Sequence, residues 1–257
     1  MPNQQSRATR EIEVWGTIVW VECRGKDLDQ LNKGIDEVTE YFKFVDEVFS
    51  TYKPESEVSR LRTGKLKIEN ACEDLKVVWN LCVEAKDITE GSFDPWAVQG
   101  GFDPSGYVKG WAADRAIEIL QENGATSIQI NAAGDLSLAG GTIEDDQETT
   151  WKIGIRHPEE AHTIVKVFEL NDGAVATSGT YERGAHIRDP HTGLIAIGAR
   201  SASVIGPDGG LADALATALV VSGRDGAVWF SKPELAEYSA WVIDRNEDTT
   251  WEIVRDK

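Results

Sequence analysis

Helical and extended patterns are unevenly shared along this chain, and that segregation constrains its fold more than any single residue. Between 28 and 123 the apolar residues recur at steps of three and four, whereas beyond about 127 they fall into short β-branched runs. Leu31, Ile35, Val38, Phe42, Val45 and Phe49 mark a long amphipathic helix over 28–49. A polar stretch from Ser50 to Arg62 ends it, with Pro54 as a breaker. Leu75, Val78, Trp79, Cys82, Ala85 and Ile88 place a second helix over 73–90, closed by Gly91. A third runs from Val108 to Asn123 and stops at Gly124. Residues 12–22 read as a strand, and further strands are expected near 127–131, 135–139, 151–156, 163–170, 173–177, 200–206, 238–244 and 249–254. One helix at 211–222 and a short one near 225–231 interrupt them. This order predicts an α+β fold with a mixed or antiparallel sheet rather than a doubly wound one. With no internal repeat and no linker, residues 1–257 are expected to form one domain, with about the first ten residues disordered.

Composition narrows the function. A formal charge of −18 argues against nucleic acid as a partner, because such binding works by displacing counterions with basic surface. It argues equally against an anionic membrane surface. An anionic ligand would therefore need a locally placed cation, a metal or backbone N–H groups. The three cysteines form no CxxC pair and read as reduced thiols. No apolar run is long enough to span a membrane, and the N-terminus shows no apolar leader, so a cytoplasmic location is expected.

Three segments carry chemistry. Val175–Gly193, VATSGTYERGAHIRDPHTG, gathers hydroxyls, charges and His186 into one loop. In ADALATAL, 212–219, Asp213 and Thr217 lie one helical turn apart and offer hard oxygen ligands of the kind magnesium takes. Spacing alone also fits a helix-dipole aspartate and a threonine bonded back to its own helix. Asp103–Gly110, DPSGYVKG, leads into a helix whose first N–H groups and Lys109 suit a phosphate, or form a plain turn with an exposed lysine. His186 has the ordinary pKa range of a general base, or bonds to backbone. HExxH, GxSxG and paired Cys/His metal spacings are absent from the sequence.

In this order, STYKPESEVSRL (50–61), GSFDP (91–95), FDPSGYVKGWAADRA (102–116), INAAGDL (130–136), WKIGIRHP (151–158), VATSGTYERGAHIRDPHTG (175–193) and ADALATAL (212–219) resemble the ApbE family of FAD:protein FMN transferases. The resemblance implies a T-fold-like α+β architecture. It further implies Mg²⁺-dependent transfer of FMN from FAD to a Thr or Ser hydroxyl of an acceptor protein, with release of AMP. By position, Asp213 and Thr217 match the family's side-chain magnesium ligands, and Gly106 matches a site that supplies a backbone carbonyl to the metal. Tyr52, Ser92, Phe93, Asp94, Asp103, Lys109 and Ile187 match positions that line the FAD site. His186 matches the histidine of the transfer step.

The chain also departs from the family pattern. Trp15 stands where Met usually precedes Gly-Thr, and Ala133 replaces the first Gly of a Gly-Gly-Asp turn. The connection between residues 95 and 102 is short, which resembles a short subgroup. An FAD diphosphatase and a non-catalytic FAD-storage protein are the alternative readings.

Overall fold

The computed structural model describes residues 5–144, 147–160, 162–179, 187–246 and 249–254. The chain enters through an antiparallel hairpin, β1 (Ser6–Val14) and β2 (Thr17–Gly25). Two expectations are corrected here. The single strand at 12–22 is two strands, and the disorder expected over about the first ten residues does not extend to Ser6–Arg10, which are paired strand. The reversal is a two-residue loop, Trp15–Gly16, with both φ angles positive (56° and 69°), as the right-handed twist of hairpin strands favours. Tryptophan is a poor turn former, which hid the loop from pattern reading. Its ring packs on Phe42 at 4.8 Å between centroids, a contact that offsets the left-handed backbone.

Helix α1 (Leu28–Phe49) starts on Asp27, whose carboxylate accepts from the Asp29 and Gln30 N–H groups. All six residues of its apolar stripe are buried. A short helix α2 (Glu57–Arg62), capped by Ser56, lies inside the polar stretch that ends α1. Helix α3 spans Glu73–Ile88, and α4 spans Ser105–Glu122, starting three residues before the expected Val108. The added turn is unusual, because Gly106 has non-helical angles (φ −86°, ψ 18°).

Strands β3 (Ala125–Ala132) and β4 (Asp135–Ala139) follow, then a small hairpin of β5 (Thr142–Glu144) and β6 (Gln147–Thr149). Next come β7 (Trp151–Arg156), β8 (Ile164–Leu170), β9 (Gly173–Gly179) and β10 (Ala199–Gly206). Helix α5 (Gly209–Ser222), a 3₁₀ stretch (Gly223–Ser231), β11 (Ser239–Asp244) and β12 (Thr250–Ile253) complete the chain.

Eight strands form one sheet in the order β1-β2-β3-β4-β9-β10-β11-β12, with antiparallel neighbours throughout. Each half is a hairpin, a helical connection and a second hairpin, and the halves meet where β4 pairs with β9. Alternation along the strands divides the core. Ala176, Ala240 and Val242 join the main core with the helices. Val175, Trp241 and Ile243 point to the other face and, with Leu138, bury Trp151, Ile153 and Ile155 of the β7–β8 hairpin.

Helices α4 and α5 touch backbone to backbone. A Cβ on Gly110 would fall 2.3 Å from the Gly209 carbonyl, and one on Gly210 would fall 2.4 Å from the Tyr107 ring. Gly110→Ala is therefore expected to destabilise the fold by at least about 2 kcal/mol in urea unfolding, because the clash outweighs alanine's helical advantage of about 1 kcal/mol. An unchanged or raised midpoint would contradict this crossing.

Candidate active site

The α4–α5 crossing brings four of the sequence-predicted residues, Gly106, Lys109, Asp213 and Thr217, close together. Lys109, one turn into α4, is the centre. Its Nζ lies 3.1 Å from Asp135 Oδ2 at the start of β4 and 3.4 Å from Asp213 Oδ2 on α5. Burial works against the charge on Lys109, but the Asp213 and Asp135 carboxylates outweigh it and hold the ammonium protonated well above its ordinary range. The other oxygen of Asp135 accepts the Thr177 N–H at 3.2 Å, tying β4 to β9. Asp213 is only 5% exposed.

One turn along α5, Thr217 Oγ1 lies 3.0 Å from Ser178 Oγ at the end of β9. Gly106 borders the same hydroxyl: a Cβ there would stand 3.9 Å from Thr217 Oγ1 and 3.2 Å from the Phe93 ring. Gly106, Phe93, Lys109, Asp213 and Thr217 thus form one cluster, drawn from α4, α5 and the segment after α3.

The other matched residues have local partners of their own. Ser92 shares a 2.7 Å hydrogen bond with Ser222 at the end of α5, and Phe93 is buried. Asp94 pairs with Lys86 at 2.7 Å and accepts the Trp96 N–H. These two charged residues help to line a surface cleft of about 410 Å³ with Gly91 and His191. Asp103 caps the first turn of α4 by accepting from Ser105 N–H and Oγ. Ile187 is buried, with its carbonyl accepting the Ala196 N–H. Tyr52 is 94% exposed on the turn after α1, so its ring lies almost wholly in solvent. His186 lies outside the described residues.

Sequence reading missed Asp135 and Ser178 as members of the cluster. Asp135 was visible only as the acid after a glycine turn, and its pairing with Lys109 spans 26 residues of sequence. The donor set is hard oxygen throughout. Among the described residues no group of three His, Cys, Asp or Glu side chains is placed to hold a metal. Few carboxylates beside hydroxyl and backbone oxygens suit magnesium, which retains water and substrate oxygens in its shell. Two carboxylates against one ammonium leave the cluster net negative, a field that favours a cation.

The profile of the ApbE family matches residues 97–241, more than half of the sequence. The chain belongs to the ApbE family. Among relatives, the FAD:protein FMN transferase of Rhodobacter capsulatus is 35% identical over 131 residues, covering 48% of this chain and 24% of the relative. The enzyme of that name from Vibrio cholerae is 32% identical over 133 residues, covering 48% of this chain and 39% of the relative. The aligned stretches thus span well under half of those relatives. Solved structures extend the likeness in fold. The Vibrio cholerae flavin transferase ApbE superposes with a TM-score of 0.80 at 21% identity, over 98% of each chain. The ApbE protein of Thermotoga maritima gives 0.83 at 22% identity, over 98% of this chain and 97% of its own. The expected α+β architecture, a large antiparallel sheet with packed helices, is the ApbE fold. No helix among the described residues is long and apolar enough to cross a membrane.

Proposed function

We propose that this chain transfers FMN from FAD to a Thr or Ser hydroxyl of an acceptor protein, with Mg²⁺, and releases AMP. The observation that carries the proposal is the cluster of Lys109, Asp213, Thr217 and Gly106, built across the α4–α5 crossing of an ApbE-family chain. Asp213, Thr217 and the Gly106 carbonyl would hold the metal. When bound, Mg²⁺ supplies charge neutralisation at the pyrophosphate, where phosphoryl transfer gathers negative charge.

Lys109 adds a fixed positive charge that does not titrate near neutrality. Asp135 holds that ammonium together with Asp213. Phe93 gives the site an apolar wall, and Tyr52 offers an exposed ring for a flavin or adenine to cover. Ser92, Asp94, Asp103 and Ile187 complete the proposed FAD surface. His186 takes the proton from the attacking hydroxyl in this reading. FAD and a Thr/Ser-bearing acceptor protein are the proposed partners, and residues 1–257 are proposed to act as one domain.

Release of AMP from FAD tests the metal requirement. With a Thr-bearing acceptor peptide to receive the FMN, AMP is expected to form in the presence of Mg²⁺, to stop on addition of EDTA and to resume when Mg²⁺ is restored in excess. Tight retention of intact FAD with no AMP under any of these conditions would overturn the proposal in favour of flavin storage.

A further inference from the structure

The three elements that supply the charged cluster are joined a second time, just beneath it. Helix α4 carries Lys109 and also Asp114. Strand β4 carries Asp135 and, two residues on and so on the same face, Ser137. Helix α5 carries Asp213 and, one turn earlier, Gly209. The Asp114 carboxylate links all three, accepting Ser137 Oγ at 2.7 Å on Oδ1 and the Gly209 N–H at 2.7 Å on Oδ2. Ser137 is buried and Gly209 begins its helix, so each bond fixes an element rather than a mobile side chain. The Gly209 N–H is one of the donors that a helix start leaves unsatisfied. Asp208 serves another, as the cap that accepts the Leu211 N–H at 2.6 Å.

We infer that Asp114 is a positioning residue: it clamps the start of α5 to α4 and β4 and so sets the spacing of Lys109, Asp135 and Asp213. The inference rests on the proposed function for its consequence in catalysis, though not for its geometry. The ionised carboxylate accepts both bonds at once, and a protonated carboxyl can still accept the Gly209 N–H while donating to the Ser137 hydroxyl. Burial, against the pull of the Ser137 and Gly209 bonds and with Asp208 and Glu118 nearby, pushes Asp114 up to about 7. The titratable groups facing it are Asp208 at the α5 cap, Tyr107 and Glu118 on its own helix, and Tyr238 ahead of β11. The clamp therefore holds in either protonation state, with the ionised carboxylate accepting both bonds.

Three full-length variants test this: Asp114→Ala, Asp114→Asn and Ser137→Ala. An asparagine amide can accept the Gly209 N–H and donate to the Ser137 hydroxyl, so it keeps the clamp without the titration. Crystal structures of the wild type and Asp114→Ala read the geometry directly. The Lys109–Asp213 contact is expected to shift by more than about 0.5 Å in the variant, a displacement large enough to spoil a preorganised site. In AMP-release kinetics, Asp114→Ala should lose about tenfold or more in kcat, with FAD KM nearly unchanged. Ser137→Ala should lose less, and Asp114→Asn, which can make both bonds, should stay near the wild type. An unmoved Lys109–Asp213 contact, or full kcat in a folded Asp114→Ala, would overturn the inference. A wild type that releases no AMP would sink the flavin reading, and the inference would then stand or fall on the crystallographic displacement.

Discussion

Replacing Asp213 with alanine is expected to reduce Mg²⁺-dependent AMP release from FAD by about a thousandfold or more, to background. Asp213 is the carboxylate among the three proposed metal ligands, and the other two, a hydroxyl and a carbonyl, carry no charge with which to hold a dication. Folding should survive the change, because Lys109 keeps Asp135 as a partner at 3.1 Å. The kinetic loss should therefore appear with a melting transition close to that of the wild type. Normal turnover in Asp213→Ala would remove the metal assignment at a stroke.

Lys109→Met is expected to act on stability as well as on activity. Without the ammonium, the Asp135 and Asp213 carboxylates face each other across a buried space. Breaking a buried ion pair by removing one partner costs about 3–5 kcal/mol. Here Asp213 is buried and Asp135 partly so, which places the expected loss toward the lower figure. Added Mg²⁺ should restore part of it by offering the orphaned carboxylates another cation. The thermal shift on Mg²⁺ addition is therefore expected to be larger in Lys109→Met than in the wild type, while AMP release stays depressed. In the wild type the folded-state pKa of Lys109 is raised, so its stabilisation is complete below its unfolded value of about 10.4 and is lost only on the alkaline side. Equal stability of variant and wild type at neutral pH would contradict a central role for Lys109 in holding the cluster.

Local signals made much of the fold legible. The stripe from Leu31 to Phe49 predicts α1 because burial of one helix face repeats at the helical period. Gly91 and Gly124, both with φ of 84°, end α3 and α4 as their sequence positions suggest. The Trp15–Gly16 turn was hidden because tryptophan follows no turn preference and is held there by packing on Phe42. Helix α2 has six residues, too few to show a period. In the candidate site, the closeness of Asp213 and Thr217 was legible because they share a helix face one turn apart. Asp135, Ser178 and Asp114 were not, since their partners lie on other elements and only the folded sheet brings them near.

The most direct test of the central claim is the mass of a Thr-bearing acceptor peptide after incubation with the protein, FAD and Mg²⁺. A gain of one FMN on the peptide, with AMP released in equal amount, is the predicted result. AMP and free FMN beside a peptide of unchanged mass would contradict transfer and point to hydrolysis of FAD.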